Sequence, residues 1–175
     1  VSGLLKRQLE EWSWLECLSF FCTRVNSTAI KAMVSVGAIS FIASNRTKML
    51  YEYDIVSNFT NKELGWVRKF LLENEDKRDT DVIGIMNLMM EQPVGRNGAI
   101  ANKKRFEMFK SIAQSLAAPP YALEDTPEWI ANKEEFLLGI SVTCTKIDAC
   151  DTSSANATCR DVVHKNTGDV PMVAV

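Results

Sequence analysis

The sequence has 175 residues, of which 46 % are apolar, so it is long enough to form one domain with a hydrophobic core. Twenty basic and 22 acidic residues leave a net charge of −2, which excludes a general electrostatic attraction to nucleic acid or anionic lipid. A nucleic-acid-binding protein of this composition would need a local basic patch. The first residues lack the basic segment and apolar run of a signal peptide, so we expect none.

The spacing of apolar residues predicts three helices in the first sixty positions. The first is amphipathic, with apolar residues three and four positions apart. These residues are Leu4, Leu5, Leu9, Trp12, Leu15 and Leu18. The sequence NST at 26–28 offers a cap for a second helix, from about Thr28 to Ser44, and a short third helix covers about 47–58. The 13 residues of 32–44 carry no charge, but a membrane span needs about 20, so we expect a buried core helix and no direct membrane insertion.

Stronger local signals mark the helices in the middle of the chain. Thr60 and Glu63 have the spacing of a capping box, in which each side chain accepts a hydrogen bond from the other residue's backbone N–H group. A charged loop at 73–81 precedes a helix that Pro93 ends, and another helix follows the next glycine turn. The sequence TPEW at 126–129 predicts the start of a last helix, because threonine caps well and proline suits the first helical position.

The pattern as a whole predicts an all-α fold. Nothing before position 140 alternates with the period of two typical of strands, so we expect about seven helices in a single compact domain at 1–143. From about Thr143 the sequence has few large apolar residues and no aromatic ones. Such a segment cannot bury enough surface to offset the entropy of its ordering. We therefore expect residues 144–175 to form an extended, mostly non-regular C-terminal arm that is held by another copy of the chain.

The predicted arm contains three cysteines and the only histidine of the chain. Cys144, Cys150, Cys159 and His164 are spaced C-x5-C-x8-C-x4-H, and three thiolates with one imidazole form a tetrahedral zinc set. This spacing is looser than the paired C-x2-C motifs of zinc fingers. A disulfide among the three cysteines, or free thiols covered by a partner, would also fit. These alternatives stay open, so we assign no metal site and no cofactor.

A basic stretch at 93–110 is the most suggestive functional signal. It has five basic residues and one acidic residue in a chain that is net acidic. The five are Arg96, Lys103, Lys104, Arg105 and Lys110. Gly95 and Gly98 would let backbone amides approach a phosphate, and the N-terminus of the following helix attracts anions. We predict that the five basic side chains bind nucleic acid, with single-stranded RNA as the candidate.

Two other interpretations of the basic stretch are consistent with the sequence. It could be an ordinary solvated helix face that follows a glycine turn. It could instead contact the acidic segments at 73–81 and 124–135 of a neighbouring copy, since complementary charges set the register between subunits.

No catalytic motif accompanies these features. The sequence has no H-E-x-x-H, no G-x-S-x-G and no P-loop, so we expect no enzymatic activity. The features together predict a non-enzymatic structural subunit of a coat- or nucleocapsid-like assembly, in a cell or a virion, that self-associates through its C-terminal arm. The alternatives are an exported or luminal helical binding module with a disulfide-linked tail, and a small subunit of a large membrane or organellar complex.

Overall fold

In a computed structural model of the protein, the described residues are 12–153 together with 155, 157 and 160. This part contains seven α-helices and two short 3-10 helices, and it contains no β-strand. The α-helices are α1 (Trp14–Arg24), α2 (Ser27–Ser35), α3 (Arg46–Val56), α4 (Asn61–Glu73), α5 (Val82–Met90), α6 (Lys103–Ala117) and α7 (Pro127–Leu138). The predicted all-α class with seven helices is confirmed. The start of the first predicted helix, including Leu4 and Leu9, lies outside the described residues.

Local capping signals place several helix starts where the sequence predicts them. The side chains of Thr60 and Glu63 form the expected capping box at the start of α4. Thr126 caps α7 by accepting a hydrogen bond from the backbone N–H of Trp129, with Pro127 in the first helical position. These starts are predictable because each depends on residues only three positions apart.

The second helix is shorter than the apolar pattern predicts. α2 ends at Ser35, and residues 36–42 form turns. Gly37 has a φ of 72°, and the guanidinium of Arg46 occupies the space that a side chain at position 37 would need. The prediction of one buried helix through Ser44 is therefore wrong. Within 36–44 only Ile39 is buried. No helix in the described residues has the length and apolar character required to span a bilayer.

The chain groups into two compact units, one ending at Asp125 and the other beginning at Thr126. The first contains α1 to α6 and one hydrophobic core, to which all six helices contribute. At its centre Phe109 of α6 is fully buried, with its ring centroid 4.8 Å from that of Phe59. The second unit contains α7, and within it the described start of the predicted arm forms a 3-10 helix, Lys146–Ala149.

Candidate functional site

Residues 95–100 of the basic stretch form a loop that is closed by a hydrogen bond and buried at its C-terminal end. The N–H of Gly95 donates a hydrogen bond to the carbonyl oxygen of Ile100, 2.9 Å away. Ala99 and Ile100 are buried and anchor the loop in the core. A Cβ atom at Gly98 would collide with the carbonyl oxygen of Pro93, so no other residue fits there without a backbone shift. The requirement for glycine at position 98 is thus explained by packing within the loop.

Basic residues occupy the whole first turn of α6. Asn102 caps the helix by accepting a hydrogen bond from the N–H of Arg105, 2.9 Å away. Lys103, Lys104 and Arg105 follow, and no acidic residue stands in this turn. A cation at a helix N-terminus interacts unfavourably with the helix dipole, and each one destabilises the helix by roughly 0.3–1 kcal/mol. Helix stability therefore does not account for the two lysines at this place.

Arg105 is engaged inside the first unit. Its Nε and Nη2 donate to the two carboxylate oxygens of Glu63, each at 2.7 Å, and Nη2 also donates to the carbonyl oxygen of Asn58 at 2.8 Å. Glu63 is almost completely buried. Burial alone would raise the pKa of Glu63, but hydrogen bonds from Arg105 and Thr60 outweigh it and hold the pKa below its usual value. The guanidinium thus neutralises a buried carboxylate, which leaves it little capacity for a phosphate.

The other four predicted residues lie on the surface. Arg96, Lys103, Lys104 and Lys110 are exposed, and none forms an ion pair with a residue that the structure describes. Lys62 adds a further positive charge beside the loop, since its Nζ donates to the carbonyl oxygen of Gly95 at 2.7 Å. We call Arg96, Lys103, Lys104 and Lys110 the basic patch.

Several acidic residues of segment 124–135 have internal partners. Asp125 accepts hydrogen bonds from the backbone N–H groups of Arg46 and Thr47 at the start of α3. Glu134 is fully buried, and Glu135 forms an ion pair with Lys146. Glu124 and Glu128 of this segment remain exposed. The structure therefore offers fewer free carboxylates to a neighbouring copy than the sequence suggests.

The structure describes two of the four residues of the C-x5-C-x8-C-x4-H pattern. Cys144 and Cys150 are free thiols, so no disulfide joins them. Cys159 and His164 lie outside the described residues. Within the described part, no group of three or more histidine, cysteine, aspartate or glutamate side chains is placed to hold a metal ion. The zinc set and a disulfide to Cys159 stay predictions.

Exposed apolar side chains are concentrated at the end of α7 and after it. Phe136 is 86 % exposed, Ile140 66 % and Val142 68 %, and Leu138 and Ile147 are about half exposed. We call these five residues the α7 apolar segment. The sequence signal for this exposed surface is the uninterrupted run FLLGI at 136–140, which has no polar side and exceeds what one buried stripe needs.

Comparison with known proteins gives no assignment. No protein family matches the chain. No curated protein sequence and no solved structure matches it either. The function is therefore inferred from the surfaces of the molecule itself.

Proposed function

We propose that the protein is a non-enzymatic structural subunit that self-associates through the unit beginning at Thr126, as part of a coat-like assembly. The observation that carries this proposal is the α7 apolar segment, in which five large apolar side chains within twelve positions contact mainly solvent. A monomeric soluble protein rarely leaves such a concentration of apolar surface uncovered.

Covering this segment would release a free energy of the size that association requires. Burying a large apolar side chain contributes about 1.5–3 kcal/mol, so five of them give a sum comparable to the roughly 4–15 kcal/mol lost when two molecules associate. The segment also leads directly into the predicted arm. A second copy is the proposed occupant because most soluble oligomers are formed by identical chains.

Two substitutions in the α7 apolar segment test self-association. We expect the double variant Phe136→Asp, Ile140→Asp to associate at least about tenfold more weakly than the wild type, because a charge at the interface centre would be desolvated on binding. Both side chains are exposed, so folding should be preserved. Sedimentation velocity over a concentration series measures the effect.

The matched control is the double variant Phe41→Asp, Leu72→Asp, which places the same two charges on exposed apolar residues outside the segment. It should sediment like the wild type. A Phe136→Asp, Ile140→Asp variant that also sediments like the wild type, or a wild-type protein that stays monomeric at high micromolar concentration, would contradict the proposal.

A second role is supported by the basic patch. Four cations stand on the surface of one loop and helix without an ion-pair partner among the described residues, and two of them oppose the helix dipole. We propose that the patch binds the phosphate backbone of single-stranded RNA. Arg105 holds Glu63 and contributes to this role only by positioning α6.

Charge reversal tests RNA binding separately from assembly. We expect the variant Lys103→Glu, Lys104→Glu, Lys110→Glu to lose binding to single-stranded RNA and to reduce the slope of log K against log salt by about 2, since each lost phosphate contact removes roughly 0.7. Fluorescence anisotropy with a labelled RNA across a salt series measures both quantities.

The matched control reverses three lysines outside the patch, Lys31→Glu, Lys69→Glu and Lys77→Glu, and so has the same net charge. It should keep most of the affinity and the salt slope. Equal loss in the two variants would show attraction by net charge alone and would overturn the assignment of the basic patch, as would a patch variant that binds like the wild type.

A further inference from the structure

A cavity of about 390 Å³ opens in the first unit where the starts of α1, α3 and α5 come together. This volume lies within the range of small-molecule sites. Apolar side chains form part of its wall, among them Trp14, Ile42 and Met49. Lys48, Glu52 and Arg78 add charged groups. No residue that lines the cavity belongs to the basic patch or to the α7 apolar segment, and neither proposed role uses it.

Glu52 is the unusual group in this wall. Its side chain belongs to a residue that is only 6 % exposed, and the carboxylate accepts one hydrogen bond, from the indole N–H of Trp14 to Oε2 at 2.8 Å. The other oxygen, Oε1, accepts no hydrogen bond from a residue that the structure describes. Its nearest cation is Lys48, whose Nζ is 3.8 Å away. Burial raises the pKa of Glu52, with Lys48 and Trp14 opposing the rise and Asp81 adding to it.

The charges around the cavity favour a cation. Both positive groups of the wall lie near a carboxylate, because Nζ of Lys48 is 3.8 Å from Glu52 and Nη2 of Arg78 donates to Glu75 at 2.6 Å. Asp79 and Asp81 also line the cavity. With Glu52, three carboxylates of the wall therefore stand against two cations. An additional positive charge would reduce this imbalance and would give Oε1 of the buried carboxylate the donor that it lacks.

The helix starts do not favour an anion, although three of them meet here. Each is capped by its own side chain: Ser13 accepts from the N–H of Glu16, Asn45 from that of Lys48 and Asp81 from that of Gly84. Each cap occupies one of the N–H groups that an anion would use.

We propose that this cavity binds a small ligand with a protonated amine on a short aliphatic body. The ammonium group donates to Oε1 of Glu52, and the aliphatic carbons contact Ile42 and Met49. The amine distinguishes this class from carboxylic acids and alcohols of the same size, which cannot supply a positive donor.

n-Butylamine, which is protonated at neutral pH, is the test ligand, with butyrate and 1-butanol as comparators of equal size. The readout is the indole N–H signal of Trp14 in two-dimensional NMR, because this group bonds the same carboxylate. We expect n-butylamine to move the signal saturably and the comparators to leave it in place. Glu52→Gln, which still offers Trp14 an acceptor, should weaken binding about tenfold or more.

Glu107→Gln is the matched control, since it removes the same charge from an exposed site on α6, and it should bind like the wild type. Ala43→Leu fills the cavity without changing a charge and should also weaken binding, which keeps the test decisive if Glu52→Gln fails to fold. The proposal is overturned if n-butylamine does not move the signal, if butyrate or 1-butanol moves it equally, or if the cavity variants retain wild-type affinity.

Discussion

Replacing Arg105 with alanine is expected to destabilise the first unit by about 3–5 kcal/mol. The change leaves Glu63 buried without the guanidinium that bonds both of its carboxylate oxygens. An unpaired buried charge is costly because the protein interior cannot replace the hydration that the carboxylate has in water. Urea denaturation followed by circular dichroism measures the free energy of unfolding.

Lys104→Ala is the matched control, because it removes a cation from the adjacent, exposed position of the same helical turn. We expect it to change the free energy of unfolding by no more than about 0.5 kcal/mol. Arg105→Lys should fall between the two, since it keeps the charge and loses the two-pronged contact. If Arg105→Ala were as mild as Lys104→Ala, the ion pair with Glu63 would not stabilise the fold.

The same pair predicts a pH dependence. The pKa of Glu63 is lowered in the folded protein, so its contribution to stability is fully present above the ordinary pKa of a glutamate, about 4.3, and is lost as the pH falls through the lowered value. Arg105→Ala should therefore lose this part of the acid dependence. Parallel stability curves of the two proteins below pH 5 would contradict it.

Replacing Glu134 with alanine is expected to release the chain that follows α7. The fully buried carboxylate accepts hydrogen bonds from the backbone N–H groups of Val142 and Thr143, at 2.6 and 2.7 Å, and from the Thr143 hydroxyl. Hydrogen bonds to charged groups contribute about 1.5–3 kcal/mol each. A loss of about 3 kcal/mol would make exchange of these two amides roughly 100-fold faster, which hydrogen-exchange NMR measures directly.

Glu135→Ala provides the control one residue further along the helix. Glu135 pairs with Lys146 at the surface, where such ion pairs contribute about 0–1 kcal/mol. It should change exchange at Val142 and Thr143 by only a few-fold. Since Glu134 also positions Val142 of the α7 apolar segment, its loss should weaken self-association too. Unchanged protection of the two amides would show that the carboxylate does not hold the turn.

Helix starts could be predicted where the residues that mark them lie close together in the sequence. Thr60 with Glu63, and Thr126 with Pro127, mark helix starts because the interactions they form lie within one turn. The end of α2 was not predictable in the same way. An apolar run is compatible with a long buried helix and with a helix followed by turns. What decides between them at Gly37 is the close approach of Arg46 from the start of the next helix.

For the candidate sites, the sequence predicted even less well which charged residues are exposed and which are paired. Lys103, Lys104 and Arg105 are consecutive cations, and the sequence alone treats them as one patch. The fold separates them, because α4 brings Glu63, 42 positions away, under Arg105 and leaves the lysines in solvent. Likewise, the sequence pattern predicts that the acidic residues near α7 are exposed. In the structure Glu134 instead accepts hydrogen bonds from backbone N–H groups of the chain that turns back after the helix.

By itself, the sequence determined the all-α class, the number of helices and most helix starts, since these depend on periodicity and on contacts within a turn. Only the tertiary structure decided which charges are internal, which apolar side chains of α7 stay in solvent, and that three helix starts enclose a cavity beside a buried carboxylate. The physical reason is distance along the chain: desolvation and pairing of a charged group depend on residues that folding alone brings next to it.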